Sequence, residues 1–168
     1  MKDNIILIGM PGCGKSTIGV LLAKNLAYGF LDSDLVIQEQ SGRKLQDMID
    51  EMGPEAFSAF EDAVNATLIP HNTVIATGGS AVYGARAMEH FREIGTVVYL
   101  NASYETIEKR IRNFATRGIV IPEGQTFRDV YNERTALYEK YADITDDVDA
   151  DKADIWDVVE AITAKLKD

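Results

Sequence analysis

Residues 6–19 read ILIGMPGCGKSTIG, a short apolar run followed by glycines, a lysine and two hydroxyl residues. The spacing G-x-x-x-x-G-K-[ST] of a phosphate-binding loop is matched by Gly9, Gly14, Lys15 and Ser16. A strand-length apolar run precedes the motif and a segment of helical period follows it, as the motif requires. The stretch therefore predicts a strand, a tight loop and a helix N-terminus that together bind the phosphates of a nucleoside triphosphate.

The residue types of this loop suggest individual roles. Glycines let successive backbone N–H groups point inward at the phosphates. Lys15 is expected to reach the β and γ phosphates of the nucleotide, and Ser16 to place its hydroxyl on the Mg²⁺ that bridges them. Thr17 is expected to support the helix start. The candidate nucleotide-binding residues in this loop are Gly12, Cys13, Gly14, Lys15, Ser16 and Thr17.

The composition is that of one globular domain. The chain has 168 residues, 46% hydrophobic and 26% charged, which suffices for one core and is too short for two ordinary domains. A formal net charge of −10 argues against a surface that follows the phosphates of DNA or RNA. The first apolar run is too short to span a membrane. We expect a cytoplasmic monomer without a nucleic-acid or membrane partner.

The one cysteine, Cys13, lies inside the phosphate loop and cannot form an intrachain disulfide, which fits a reducing compartment. One interpretation is a small residue that fits the loop. The alternative is a thiol whose oxidation blocks phosphate entry.

Strand-length apolar runs alternate with longer segments of helical period along the rest of the chain, which predicts an α/β fold with a parallel sheet. The runs TVIA and TVVYL show no polar alternation, as expected of central strands covered on both faces. Two helices should pack on the sheet through Ile18, Leu21, Leu22 and Leu26, and through Ile155, Val158, Val159, Ile162 and Leu166.

Two segments show no clear period. Residues 113–125 contain Gly118, Pro122 and Gly124 and predict a mobile loop. The acidic residues 143–154 predict a solvated connection into the last helix, with Asp151 or Asp154 as its cap.

Two further motifs follow apolar runs. FLDSD, residues 30–34, places Asp32 and Asp34 at the carboxyl edge of the sheet, where one can assist the metal and the other can face an acceptor hydroxyl. Capping of the next helix by Asp34 is a further possibility. In ATGGS, residues 76–80, the paired glycines Gly78 and Gly79 indicate either close approach of the backbone to a ligand or a plain turn.

Taken in order, these motifs resemble the shikimate kinase family of small P-loop kinases. The resemblance covers nearly the whole chain and rests on GMPGCGKST, FLDSD, EAFSAFE, ATGGS, a loop with Arg117, and NERTALYEKYADI. It implies a three-layer α/β/α P-loop fold whose five-stranded parallel sheet has the order 2-3-1-4-5. It also implies an acceptor-binding helical region at about 33–62 and a lid at about 112–126.

The implied activity is transfer of the γ-phosphoryl group of MgATP to a hydroxyl of a small acid, with shikimate giving shikimate 3-phosphate in aromatic amino acid biosynthesis. By the resemblance Asp34 orients the attacking hydroxyl, and Asp32 is tied to Mg²⁺ through water. The backbone of Gly78 and Gly79 contacts the acceptor. The implied arginine roles are phosphate contact for Arg117, adenine stacking for Arg110 and carboxylate binding for Arg134.

Periodicity supports the role of Arg134 independently. The helix expected over residues 127–141 has an apolar stripe with Arg134 in its middle. A desolvated guanidinium needs an anionic partner, which could be a ligand carboxylate or an acid such as Glu133. Arg117, beside Gly118, could swing onto the transferred group or be a solvated loop residue.

The acceptor side departs from the family pattern. Ser58 follows Phe57 where the family has an arginine, Ser80 replaces the third glycine, and TRGIV (residues 116–120) lacks the usual proline. Arg43, Arg86 or Arg128 could replace the missing arginine. Other functions left open are a kinase for another hydroxylated molecule or a nucleotide, and a non-catalytic nucleotide-binding regulator. A GTPase base-reading motif is absent from the sequence.

Overall fold

The computed structural model describes residues 2–112, 119, 121–149 and 154–167. Its five strands are all parallel and follow the order β2-β3-β1-β4-β5, as the family resemblance implied. Within the described residues the strands are β1 (Asn4–Ile8), β2 (Gly29–Asp32), β3 (Thr73–Ala76), β4 (Gly95–Asn101) and β5 (Ile144–Asp147).

Helices cover both faces of the sheet and fill the long connection from β2 to β3. Those described are α1 (Lys15–Leu26), α2 (Ser33–Ser41), α3 (Leu45–Met52), α4 (Pro54–Asn65), α5 (Ala85–Ile94), α6 (Tyr104–Arg112), α7 (Phe127–Tyr141) and α8 (Ile155–Lys165), with a 3₁₀ turn at Ala81–Tyr83. None of these helices is long and apolar enough to cross a membrane.

The main core lies between the central strands and the helices on either face. All four residues of β3 are buried, and β4 is buried along most of its length, which confirms the prediction of central strands covered on both sides. The predicted faces of α1 and α8 both pack against this core.

A second, smaller apolar cluster holds α2, α3 and α4 together. Its buried members come from all three helices and are Ile37, Met48, Phe57 and Val64. These helices form the region at about 33–62 that the resemblance assigns to acceptor binding. Because they follow β2 directly, they lie at the carboxyl edge of the sheet.

The prediction for the acidic stretch 143–154 was partly wrong. Ile144–Asp147 is not a loop but the edge strand β5, paired with β4. Edge strands tolerate polar residues because one side of the strand is open, and Asp146 is neutralised by an ion pair with Lys165. Asp154 does cap α8, in a capping box with Asp157. Asp151 lies outside the described residues, as do residues 113–118 of the expected lid.

Candidate active site

A cavity of about 850 Å³ opens at the carboxyl edge of the sheet, where β1, β2 and β3 end. Its walls come from the phosphate loop, the helical region α2–α4, the loop after β3 and helix α7. Ligand sites of open parallel sheets form at this edge. All the motifs quoted from the sequence therefore meet in one place, apart from the part of the lid that is not described.

The phosphate loop has the backbone that its glycines permit. Gly9, Gly12 and Gly14 have φ values of 149°, 82° and 103°, in the region that L side chains rarely adopt. At Gly9 space is also short, because a β-carbon would lie 2.8 Å from the backbone oxygen of Leu100. The turn places Gly14 at the N-cap of α1, so the unpaired N–H groups of that helix face the loop.

Lys15 folds back over this loop and is almost entirely buried. Its Nζ donates hydrogen bonds to the backbone oxygens of Gly9 at 2.7 Å and Met10 at 2.9 Å. The Sγ of Cys13 lies 3.7 Å from the same Nζ. The ammonium group is thus held inside the loop, beside the N-terminus of α1.

Cys13 itself is buried and does not line the cavity, and its backbone N–H donates to the Met10 oxygen. The other loop residues predicted to bind nucleotide, Gly12, Gly14, Lys15, Ser16 and Thr17, do line it. Burial of the thiol favours the interpretation of Cys13 as a small residue that fits the loop.

Asp32 links the phosphate loop to the helical region. Its Oδ2 accepts a hydrogen bond from the Ser16 hydroxyl at 3.1 Å, and its Oδ1 accepts one from the backbone N–H of Asp34 at 2.9 Å. Asp32, rather than Asp34, is therefore the N-cap of α2, which corrects the capping alternative. The sequence could not distinguish the two, because both precede the same helical run.

The Ser16 and Asp32 oxygens fit a Mg²⁺ ion that is shared with phosphates. Mg²⁺ prefers hard oxygen ligands and keeps several waters, so one or two protein oxygens suffice. In the described part of the chain no group of three or more His, Cys, Asp or Glu side chains could hold a metal alone. The site thus suits an ion that arrives with its nucleotide.

Asp34 lies in the first turn of α2 and lines the cavity. The pKa of its carboxyl group is raised from 3.8 to about 6, mainly by burial and also by the nearby charge of Asp32, with Lys15 opposing the shift. A carboxylate whose pKa is close to neutrality can accept a proton in the reaction.

The loop after β3 approaches two charged side chains closely. A β-carbon at Gly78 would lie 2.7 Å from Oδ1 of Asp34, and one at Gly79 would lie 3.1 Å from Nη1 of Arg134. A β-carbon at Gly79 would also lie 2.6 Å from Cδ of Pro11, so a side chain at either position would have to displace its neighbours. The two glycines therefore do more than form a plain turn. Their backbone lies close to Asp34, the predicted base, and to Arg134, the residue predicted to bind the acceptor carboxylate.

Helix α7 has the predicted bounds, and Arg134 is buried in its middle, with 4% of its surface exposed. One turn further along, the Tyr138 hydroxyl donates to the backbone oxygen of Gly79 at 2.6 Å, which fixes α7 against the loop. The guanidinium carbon lies 5.5 Å from the centre of the Tyr83 ring.

The Arg134 guanidinium forms no ion pair with an acid of the described residues. Its Nε is buried without a hydrogen bond. Pairing with Glu133 was the alternative prediction, but Glu133 accepts from the Tyr83 hydroxyl at 2.6 Å instead. A buried cation that makes no ion pair at a cavity wall favours an anionic ligand.

Sequence reasoning missed one buried acid, Glu61, which lines the cavity from α4. Its Oε1 accepts a hydrogen bond from the Ser80 hydroxyl at 2.7 Å. Burial raises the pKa of the Glu61 carboxyl from 4.5 to about 7, although the Ser80 bond and Arg134 oppose the shift. A signal was present, since Glu61 follows Phe57 by four residues and so shares its helix face.

The remaining predicted residues divide between the two sides of the cavity. Arg110, on α6, donates from Nη1 to the backbone oxygen of Gly12 at 2.9 Å, beside the phosphate loop. Phe57 and Ser58 line the acceptor side, next to Glu61. Arg117 lies outside the described residues.

None of the three arginines suggested as a replacement at the acceptor side lines the cavity. Arg43 pairs with Glu51 at 2.5 Å, and Arg128 stacks over the Tyr104 ring at 3.8 Å. Arg86 is exposed on α5. In the described part of the cavity wall, Arg134 is the single arginine.

Comparison with known proteins identifies the family of the chain. The family model of shikimate kinase matches residues 11–167. A shikimate kinase of Thiobacillus denitrificans is 34% identical over 98% of this chain and 91% of its own length, and one of Paracidovorax citrulli is 40% identical over 83% and 79%.

Solved structures agree with the sequence relatives. The shikimate kinase of Acinetobacter baumannii, in complex with shikimate, superposes with a TM-score of 0.85 at 29% identity, covering 99% of this chain and 93% of that one. The shikimate kinase of Aquifex aeolicus gives a TM-score of 0.77 at 26% identity, covering 98% and 96%. With its phosphate loop, sheet order and family match in agreement, the chain belongs to the shikimate kinase family.

Proposed function

We propose that this protein is an ATP-dependent kinase that phosphorylates shikimate to shikimate 3-phosphate. The observation that carries the proposal is the buried guanidinium of Arg134, which makes no ion pair with a described acid and lies with Asp34 at the paired glycines Gly78 and Gly79 in the same cavity as the phosphate loop. An acceptor with both a carboxylate and a hydroxyl matches this pair. The names of the relatives support the same acceptor.

On the nucleotide side, Lys15 is the principal charge. Its ammonium group must exchange the Gly9 and Met10 oxygens for the β and γ phosphates, a short movement within the same loop. A bound Mg²⁺ would supply positive charge that stabilises the phosphates during transfer. Ser16 and Asp32 would hold it, the serine directly and the aspartate through water.

On the acceptor side, Asp34 is placed to orient the attacking hydroxyl and to take its proton. With a pKa of about 6, its carboxyl group is mostly ionised at neutral pH and still basic enough to share a proton. The Asp32 carboxylate caps α2 by accepting a hydrogen bond from the Asp34 N–H. This bond ties the first turn of α2, which carries Asp34, to the residue proposed to hold the metal.

Arg134 would bind the acceptor carboxylate. A charge-assisted bond is worth about 1.5–3 kcal/mol, so a single guanidinium anchors the carboxylate less firmly than two would. Ser58 supplies no charge, and a cavity-lining candidate for additional attraction is Lys44, the N-cap of α3.

The cavity fits a nucleotide acceptor less well. The phosphate of a nucleotide acceptor would call for several converging arginines. Arg134 is the single arginine in the described cavity wall. We therefore place shikimate ahead of nucleotides and other polyols, and we propose a role in aromatic amino acid biosynthesis for a cytoplasmic monomer.

The experiment is ADP release from MgATP with shikimate and with a panel of hydroxy acids, sugars and nucleoside monophosphates. We expect shikimate to give the highest kcat/KM and the product to carry its phosphate at the 3-position. Turnover with none of the panel would overturn the proposal in favour of a nucleotide-binding regulator, and preference for a nucleotide or sugar would reassign the acceptor.

A further inference from the structure

A side chain from helix α6 holds the phosphate loop from outside the cavity. Nη1 of Arg110 donates a hydrogen bond to the backbone oxygen of Gly12 at 2.9 Å, although the two residues are 98 positions apart. The stem of Arg110 packs there too, because a β-carbon at Gly12 would lie 3.6 Å from Cβ of Arg110. Gly12 lines the cavity and Arg110 does not, so Arg110 meets the loop from behind the cavity wall.

Helix α6 is a firm support for this bond. Ile107, one turn before Arg110, is fully buried in the main core, and Ile111 packs against the same core. Arg110 makes no ion pair with an acid of the described residues. Gly12 is thus tied to an element that the core fixes, by a guanidinium for which no described carboxylate competes.

The bond restrains the peptide group between Gly12 and Cys13. In a planar trans peptide the C=O and N–H groups point in opposite directions. Arg110 binds the Gly12 oxygen on one side, and the Cys13 N–H donates to the Met10 oxygen at 3.1 Å on the other. Both ends of this peptide group are therefore held, which suits a loop that must aim its N–H groups at phosphates.

The family resemblance gives Arg110 a different role, which is stacking on adenine. Stacking uses the flat face of a guanidinium, whereas the bond to Gly12 uses an N–H group at its edge. The two contacts are compatible, but only the bond to Gly12 acts on the part of the loop that meets phosphates. A ligand without a base therefore separates the two roles.

We propose that Arg110 is a positioning residue of the phosphate loop, whose bond to Gly12 holds the loop in the form that binds polyphosphate, with or without adenine. The inference deepens the proposed function and rests on it. Arg110 should therefore contribute to the binding of inorganic tripolyphosphate, which has no base on which to stack.

The test measures dissociation constants for Mg²⁺-tripolyphosphate and MgATP by calorimetry, without acceptor. We expect Arg110→Ala to weaken tripolyphosphate binding about tenfold, the size of a hydrogen bond to a charged group. Binding of MgATP should weaken at least as much. A partly buried contact is screened little by salt, so the ratio of variant to wild type should change less than about twofold between about 0.05 M and about 0.5 M KCl.

Two further variants separate positioning from charge and from packing. Lys109→Ala removes a positive charge at an exposed neighbouring position of α6 and should leave both dissociation constants unchanged. Arg110→Met keeps an apolar stem beside Gly12 but has no donor, and it should match Arg110→Ala. In the ligand-free protein, the Cys13 N–H should exchange with solvent about fivefold faster in both Arg110 variants than in the wild type. Urea unfolding checks that each variant is folded.

Three results would overturn this inference alone. The first is unchanged tripolyphosphate affinity in Arg110→Ala while MgATP binds more weakly, which would leave Arg110 with adenine only. The second is equal weakening by Lys109→Ala, which would assign the effect to charge. The third is wild-type affinity in Arg110→Met, which would assign it to the stem.

The wild type separates this inference from the proposed function. Binding of MgATP without measurable binding of tripolyphosphate would overturn the inference, since the loop would then need the base. Binding of neither ligand would instead remove the proposed function, on which this inference depends.

Discussion

The nucleotide side and the acceptor side of the cavity are built in different ways. The nucleotide side comes mainly from one continuous stretch, the phosphate loop and the first turn of α1, held in shape by glycines with positive φ. The acceptor side is assembled from α2, α4, α7 and the loop after β3. Its charged groups, Asp34, Glu61 and Arg134, are brought together only by the fold.

This difference separates two kinds of constraint. Local backbone geometry fixes the phosphate loop, so its residues can be replaced only by those with the same φ and the same chemistry. Packing fixes the acceptor side, so a serine at residue 58 or 80 is accommodated while neighbouring groups find other partners, as Glu61 does with Ser80. Substitutions on the two sides should therefore affect different kinetic constants.

The largest effect is expected from Lys15→Ala. The variant lacks the ammonium group that stabilises negative charge on the transferred phosphoryl group. Its kcat should therefore be about 10⁴-fold lower, by analogy with other phosphate-stabilising cations. Shikimate binding without nucleotide should stay within twofold of wild type. Lys24→Ala, at an exposed position of the same helix, is the control. A large loss of shikimate affinity in Lys15→Ala would break the separation of the two sides.

Asp34→Asn should lower kcat about 10²- to 10³-fold, because the amide cannot take the hydroxyl proton. The wild-type kcat/KM should fall as the pH drops below about 6, where the Asp34 carboxyl becomes protonated. The variant should lack this acidic limb. Steady-state kinetics from pH 5 to 8 tests both points, with Glu39→Gln on the exposed face of α2 as control. An unchanged acidic limb in Asp34→Asn would assign that pKa to another group.

Glu61 should make stability depend on pH. Its pKa is raised from 4.5 to about 7 in the folded state, so the native state holds the proton more tightly than the unfolded chain. The free energy of unfolding should therefore fall as the pH rises from about 4.5 to 7, by about 3 kcal/mol for this group. Glu61→Gln should remove the part of the decline that Glu61 contributes.

Urea unfolding at pH 5 and pH 8 measures this contribution. Part of the decline should remain in the variant, because Asp34 shifts in the same direction. An identical pH dependence in wild type and Glu61→Gln would contradict the assignment.

Arg134→Ala should raise the KM for shikimate about 10- to 100-fold, the loss of one charge-assisted anchor. The KM for ATP should change less than twofold. Arg128→Ala is a matched control on the same helix, since Arg128 stacks on Tyr104 away from the cavity. A similar effect of both substitutions would indicate general damage to α7 rather than loss of a carboxylate ligand.

The sequence predicted most of the fold because its signals are local. The phosphate loop, the buried strands β3 and β4 and the bounds of α7 all follow from spacing or periodicity within a few residues. Strand β5 was missed as a strand because Ile144–Asp147 is acidic, and its pairing with β4 is a long-range contact. The family resemblance, rather than periodicity, supplied the fifth strand.

The candidate site could be predicted from the sequence at positions where the residue type and its motif suggest a single chemical role. Lys15, Asp34 and Arg134 were all named from the sequence, and all line the cavity. The cap of α2 was uncertain between two aspartates two residues apart. The pairing of Glu61 with Ser80 could not be read from the sequence, because the residues are 19 positions apart and meet only through the packing of α4 on the loop after β3.

The central claim is that Arg134 recognises the carboxylate of shikimate. The most direct test compares kcat/KM for shikimate and its methyl ester in the wild type and in Arg134→Ala. The wild type should prefer the acid about 10- to 100-fold, and the variant should treat acid and ester within twofold of each other. A wild type that does not distinguish the two, or a variant that keeps the preference, would contradict the account.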